Sequence, residues 1–186
     1  MKKGFTLIEM MVSVAIFAVV MTIALGALLA MSESDRKAQT IKSITNNLSF
    51  ALDSMSRSIR TGDVYHCGDT IPLTTARDCS AVPDTYFTSY NADGKRVVYC
   101  LGSAEPPLPS CTSSGTAILV SVAGAPLSPI TSPEVKISAL SFYVTGADSA
   151  IQPKVTILIS GFVTVSGTQT SPFNLQTSVT QRLYDQ

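Results

Sequence analysis

Between Phe5 and Met31 the chain carries one ionisable side chain, Glu9, and from residue 10 to 31 only Ser13 and Thr22 interrupt an apolar run. About 20 such residues, rising 1.5 Å each, cross about 30 Å of hydrocarbon, so the run is long enough for a transmembrane helix. Whatever else the chain builds must therefore follow an anchor. Lys2 and Lys3 hold the N-terminus in the cytoplasm, but Arg36, Lys37 and Lys42 follow the run, and the positive-inside rule comes close to a tie. The bland alternative is a secretory signal cut near Ala24-Leu25-Gly26. Against it, the run is longer than the 7–15 residues of an ordinary signal core, and Glu9 lies within it. A carboxylate near mid-membrane costs roughly 2.5–3.5 kcal/mol on insertion scales, which points to a specific use.

The opening residues, Met1-Lys2-Lys3-Gly4-Phe5-Thr6-Leu7-Ile8-Glu9-Met10-Met11-Val12, resemble the leader and start of type IV pilins, type II secretion pseudopilins and competence pseudopilins. The shared pattern is a short basic leader, Gly before the cut, Phe after it, Thr-Leu-Ile-Glu, then an uninterrupted apolar helix. The resemblance covers about the first thirty residues. It implies cleavage by a prepilin peptidase between Gly4 and Phe5 on the cytoplasmic face and N-methylation of the new Phe5 amine. It also implies residence in membrane lipid as a single-pass protein of the inner membrane, with an extracytoplasmic head. Polymerisation then follows with other pilin or pseudopilin subunits, through an inner-membrane assembly platform. Glu9 is the assembly residue the resemblance singles out, with the Phe5 amine of a neighbouring subunit as its partner; the competing account is a pair within one chain, because Phe5 and Glu9 are one helical turn apart.

Each position also has a plain physical reading. Gly4 lets a protease hold bare backbone, or it simply starts a helix. Phe5 puts an aromatic body at the interface, and methylating its amine retains the charge. Glu9 is acidic near a helix N-terminus, where the dipole favours it with or without a partner.

The resulting organisation is a leader over 1–4, a membrane and assembly helix over 5–31, an amphipathic continuation over 32–61 and a β-rich head over 62–186. A polar collar over 32–37 precedes Ile41, Ile44, Leu48, Ala51, Leu52, Met55 and Ile59, which recur at three- and four-residue steps as one helical stripe. Arg57 and Arg60 near the end and Gly62 just past it are C-terminal signals. No proline precedes Pro72, so one helix from Phe5 to Thr61 would run on the order of 85 Å. Gly26 with Ala30 makes a small-xxx-small pair, which by itself is weak evidence for close helix approach.

After Gly62 the period changes from helical to alternating. Segments 86–90 and 96–101 flank Asn91-Ala92-Asp93-Gly94 as a hairpin with Gly at positive φ. Further strands are expected over 117–122, 135–144, 155–165 and 173–182, with loops over 102–115 and 123–133. The fold class is α+β, a long helix packed on a mostly antiparallel sheet. Residues 152–157 and 175–182 resemble, less specifically, the C-terminal strands of J-type minor pseudopilins of type II secretion.

Residue chemistry in the head points away from catalysis. Thirteen basic and thirteen acidic residues cancel, so no overall positive field marks nucleic acid as a partner. His66 is the only histidine and reads as a surface loop residue; it offers no second His for a zinc site. Cys67, Cys79, Cys100 and Cys111 lack the short paired spacing of zinc or redox motifs. Two disulfides are the better reading, and pairing Cys67 with Cys79 and Cys100 with Cys111 closes the shortest loops, although four cysteines allow three connectivities. Asp84, Asn91, Asp93 and Asp148 carry oxygen ligands but no twelve-residue calcium loop, so no metal site and no cofactor are assigned. Asn91 and Asp93 are explained as turn residues. The sequon Asn47-Leu48-Ser49 falls on the helix and is read as chance.

The expected function is therefore a non-enzymatic assembly subunit, a minor pilin or pseudopilin of a type IV pilus or type II secretion pseudopilus. Alternatives are a competence-type subunit aiding DNA uptake, an uncleaved bitopic binding or sensor protein, and a membrane-released binding domain.

Overall fold

A computed structural model describes residues 4–70, 72–104, 109–148, 151–166 and 169–182. Leader residues 1–3 and the chain end after Arg182 lie outside the described residues. The chain divides into two compact units, Met1–Lys42 and Ser43–Gln186. One helix, α1 (Leu7–Arg60), enters both.

In the first unit every side chain from residue 4 to 36 is exposed, apolar ones included. This is a helix long and apolar enough to cross a membrane. Its two mid-run hydroxyls are satisfied without water. Ser13 donates to the Met10 carbonyl at 3.0 Å, and Thr22 to the carbonyls of Ala18 and Val19. Such back-bonding is what hydrocarbon surroundings demand of a hydroxyl. Beyond the apolar run, Lys37 pairs with Glu33 at 3.1 Å across one helical turn.

In the second unit the helical stripe is buried at Ile44, Leu48, Ala51, Met55 and Ile59, with Leu52 packed at its margin. Ile41, read as part of the stripe, is exposed and belongs to the first unit. The helix stops at Arg60. The Tyr65 hydroxyl then donates to the carbonyls of Ile59 and Gly62, at 2.6 and 3.0 Å, satisfying groups the helix end leaves open. Gln181 Nε2 donates to the Gly62 carbonyl and the Arg182 N–H to that of Arg60, tying the last strand to the same point.

Among the described residues nine strands follow: β1 (Asp63–Cys67), β2 (Tyr86–Tyr90), β3 (Arg96–Ser103), β4 (Ser110–Cys111), β5 (Ala117–Val122), β6 (Ser128–Pro129), β7 (Val135–Thr145), β8 (Lys154–Ser166) and β9 (Gln169–Thr180). The six expected strands are present within a few residues of their expected bounds. The architecture is α+β, with every ladder antiparallel. The expected single sheet is two: β1-β2-β3-β5-β6 with β4 on β3, and β7-β8-β9. β7 does not extend the first sheet because its outer edge is taken by connecting chain. Asp84 exchanges both backbone bonds with Phe142, Cys79 donates to Val144, and Ile137 donates to Thr116.

Both sheets and the helical stripe share one core. Phe87 stacks between Tyr65 and Phe142, with ring centroids 5.9 and 5.3 Å away, and so joins the sheets. In the second sheet Val144–Val155–Val179 and Leu140–Ile159–Leu175 form cross-strand apolar rows. In the row Ile137–Gly161–Phe173 the centre is empty, and the Phe173 ring closes over it. A Cβ on Gly161 would stand 2.3 Å from the Lys136 carbonyl oxygen. Disulfides join Cys67 to Cys79 and Cys100 to Cys111, with Cα separations of 5.9 and 5.7 Å.

Three readings are corrected. His66 is not on a surface loop: it is 2 % exposed inside β1, with Nδ1 2.6 Å from the Thr75 carbonyl oxygen. β1 escaped notice because it is short and irregular, with Val64 at φ 48° beside a register shift. The stretches read as loops also contribute strand pairs, β4 against Gly102 and Ser103, and β6 against Leu119 and Val120.

Candidate functional site

The start of α1 is built as a reciprocal cap. Thr6, just before the first helical residue, donates its backbone N–H and its hydroxyl to Glu9 Oε2, at 3.0 and 2.9 Å. The Glu9 N–H returns a bond to Thr6 Oγ1 at 3.4 Å. This is the S/T-x-x-E capping box, which satisfies helix donors that have no intrahelical acceptor. Thr6 was not singled out from the sequence as a cap, although Thr6 and Glu9, three residues apart with an apolar run after them, are the signature that identifies such a box.

Only one oxygen of the Glu9 carboxylate is committed to Thr6. Among the described residues Oε1 is left for another donor, so capping and an intermolecular role are compatible. Phe5 is 82 % exposed, and a Cβ built on Gly4 would meet nothing within 4 Å. No packing among the described residues calls for glycine at position 4. The same holds at Gly26, where a Cβ also finds open space.

The remaining singled-out residues serve the head. Asn91 Oδ1 accepts the N–H groups of Asp93 and Lys95 inside the β2–β3 turn, with Gly94 at φ 71°. Asp84 Oδ1 accepts the Tyr86 N–H. Asn47, read only as a chance sequon, holds the Ser132 N–H at 3.0 Å. Asp78, also unremarked, takes the N–H groups of Gly146 and Ala147 on its two oxygens, each at 2.8 Å.

Among the described residues, an apolar helix that by length and composition can span a membrane, capped by Thr6 and Glu9 and continued into a disulfide-bonded β-rich head, is the build of a membrane-anchored protein. Residues 1–25 match the family described as the prokaryotic N-terminal methylation motif, the motif of type IV prepilin-like proteins, and this supports a pilin-like or pseudopilin subunit in general. No curated protein and no solved structure matches the chain.

Proposed function

We propose that the chain is a structural subunit of a type IV pilus or type II secretion pseudopilus, cut between Gly4 and Phe5 by a prepilin peptidase, methylated at Phe5 and polymerised through its N-terminal helix. The observation that carries this reading is the methylation motif at residues 1–25, leading into a helix whose apolar side chains are all exposed through Met31. A glycine at 4 that no packing among the described residues requires fits a role toward a protease. In this reading the leader is residues 1–4, the helix over 5–31 sits in inner-membrane lipid before assembly, and the head is extracytoplasmic. The assembly platform then passes the subunit to its filament neighbours. There the Oε1 side of Glu9 meets the Phe5 amine of a neighbouring subunit, a partner that exists only after cleavage. A buried carboxylate needs such a partner, because left unpaired it is strongly destabilising.

Mass spectrometry of native protein tests the reading. The mature chain begins at Phe5 with one added methyl group, and Gly4→Glu leaves the leader in place. An intact Met1, or a new N-terminus near Gly26, overturns it.

A further inference from the structure

β9 is an edge strand of twelve residues, with β8 on one side and no strand on the other among the described residues. In an antiparallel ladder, alternate residues turn both backbone groups toward the same neighbour. The Gln181 N–H donates to Pro153 at the β8 side, and the register runs without a shift from Thr180 back to Thr170. Residues 173, 175, 177 and 179 therefore bond to β8, and Asn174, Gln176, Ser178 and Thr180 turn their N–H and C=O groups outward. Pro172 falls on the outward side too, where its missing N–H costs the ladder nothing.

Edge strands of this length are ordinarily guarded by charge, bulges or covering chain. β9 has no charged residue from Gln169 to Gln181, and its guards stand only at the ends, Pro172 at one and, just past the other, the Arg60 carbonyl that takes the outward N–H of Arg182. Its core-facing row is also unfinished, since Phe173 and Leu175 are only partly buried against the core. The other edges described are short or covered. β6 has two residues, the outer side of β1 bonds to Arg77, and β7 is met by Cys79, Asp84 and Thr116.

We propose that β9 pairs antiparallel with β9 of a second copy of this chain, about a two-fold axis at Thr177. This is the register that uses all four outward residues and leaves Pro172 outside. Asn174 lies opposite Thr180 of the second copy, and Gln176 opposite Ser178. Leu175 then faces Val179 of the second copy on the core side, which completes the unfinished row. A strand without charge fits a copy of itself with no like-charge contact. The second long open edge that a head-to-tail contact needs is not present among the described residues. Such an isologous contact closes at two, so it does not propagate a filament, and it stands whether or not the chain is a pilin.

Oxidative crosslinking of the full chain in membranes tests the pairing. Thr177→Cys faces itself across the axis, within the Cα range that a disulfide accepts. It yields a disulfide dimer of twice the chain mass. Asn174→Cys and Thr180→Cys each stay monomeric alone and link when co-expressed. Gln176→Pro, which copies the edge proline at 172, abolishes the Thr177→Cys dimer while peptide mapping still finds both native disulfides; Gln176→Lys serves if the proline variant does not fold. The proposal is overturned if folded Thr177→Cys stays monomeric, if Asn174→Cys alone links as well, if the crosslinked product contains a different protein, or if the dimer survives both edge variants.

Discussion

Thr6 and Glu9 hold each other at the first turn of α1, the hydroxyl and N–H of one on a single carboxylate oxygen of the other. The pair separates two roles that one substitution at Glu9 would confuse. Thr6→Val removes the cap and keeps the carboxylate, at a cost of about 1 kcal/mol of local helix stability. Glu9→Val removes both. Under the assembly role, Glu9→Val leaves membrane insertion and cleavage intact but sharply lowers incorporation into sheared filaments, whereas Thr6→Val incorporates near wild-type levels. Equal losses in the two variants would assign the residue to capping alone.

The disulfides close short loops, with sequence separations of 12 and 11. In the loop-entropy model each contributes about 2–4 kcal/mol. Non-reducing peptide mapping should recover Cys67 with Cys79 and Cys100 with Cys111. Reduction should lower the urea midpoint of the head in two separable steps, resolved with the Cys67→Ala/Cys79→Ala and Cys100→Ala/Cys111→Ala variants. Crossed peptides would refute the pairing.

Asp78 anchors the turn after β7 through the backbone N–H groups of Gly146 and Ala147. Asp78→Ala leaves two donors without their acceptor, and each partly buried group so orphaned costs about 1–3 kcal/mol. Hydrogen exchange should speed up at residues 146 and 147 in this variant before the rest of β7 responds. Unchanged protection there would remove Asp78 from the account of the turn.

Burial raises the phenol pKa of Tyr65 well above its ordinary range, with the Asp63 carboxylate adding to the effect, and burial raises that of Tyr99 against a smaller opposing hydrogen bond from Ser58. Below about pH 10 both phenols are protonated in the folded and the unfolded chain, so neither makes stability depend on pH. Above it the unfolded chain loses these protons first and binds fewer than the folded one. Stability then falls by about 1.4 kcal/mol per pH unit per phenol until the raised folded-state value is passed. Urea midpoints measured on either side of pH 10 should show this decline, and Tyr65→Phe should make it shallower. A profile that stays flat into strong alkali would contradict the burial of both rings.

Thr88 Oγ1 and Ser89 Oγ are buried with no hydrogen-bond partner among the described residues. Thr88→Val keeps the shape and removes an unsatisfied hydroxyl, a group whose burial costs about 1–3 kcal/mol. The variant should be as stable as the parent or more so by urea denaturation. A loss of stability would mean that the hydroxyl has a partner.

What the sequence alone determined is local in origin. The anchor follows from a run of apolar residues, the helical stripe from its three- and four-residue spacing, and the β2–β3 turn from Asn91 and Gly94, whose bonds stay within a few residues. The Thr6–Glu9 cap belongs with these, since its three-residue spacing was on view. Tertiary structure decided the rest. Asp78 reaches residues 68 and 69 positions away, and Asn47 reaches one 85 positions away, so no local pattern marks either. His66 is buried because Thr75 and the irregular β1 close around it, and periodicity cannot register a five-residue strand with a bulge. The split into two sheets rests on connecting chain at Cys79, Asp84 and Thr116 occupying the β7 edge ahead of any strand. Alternation in sequence tells which side chains of a strand share a face; which backbone edge finds a neighbour depends on where distant chain comes to lie.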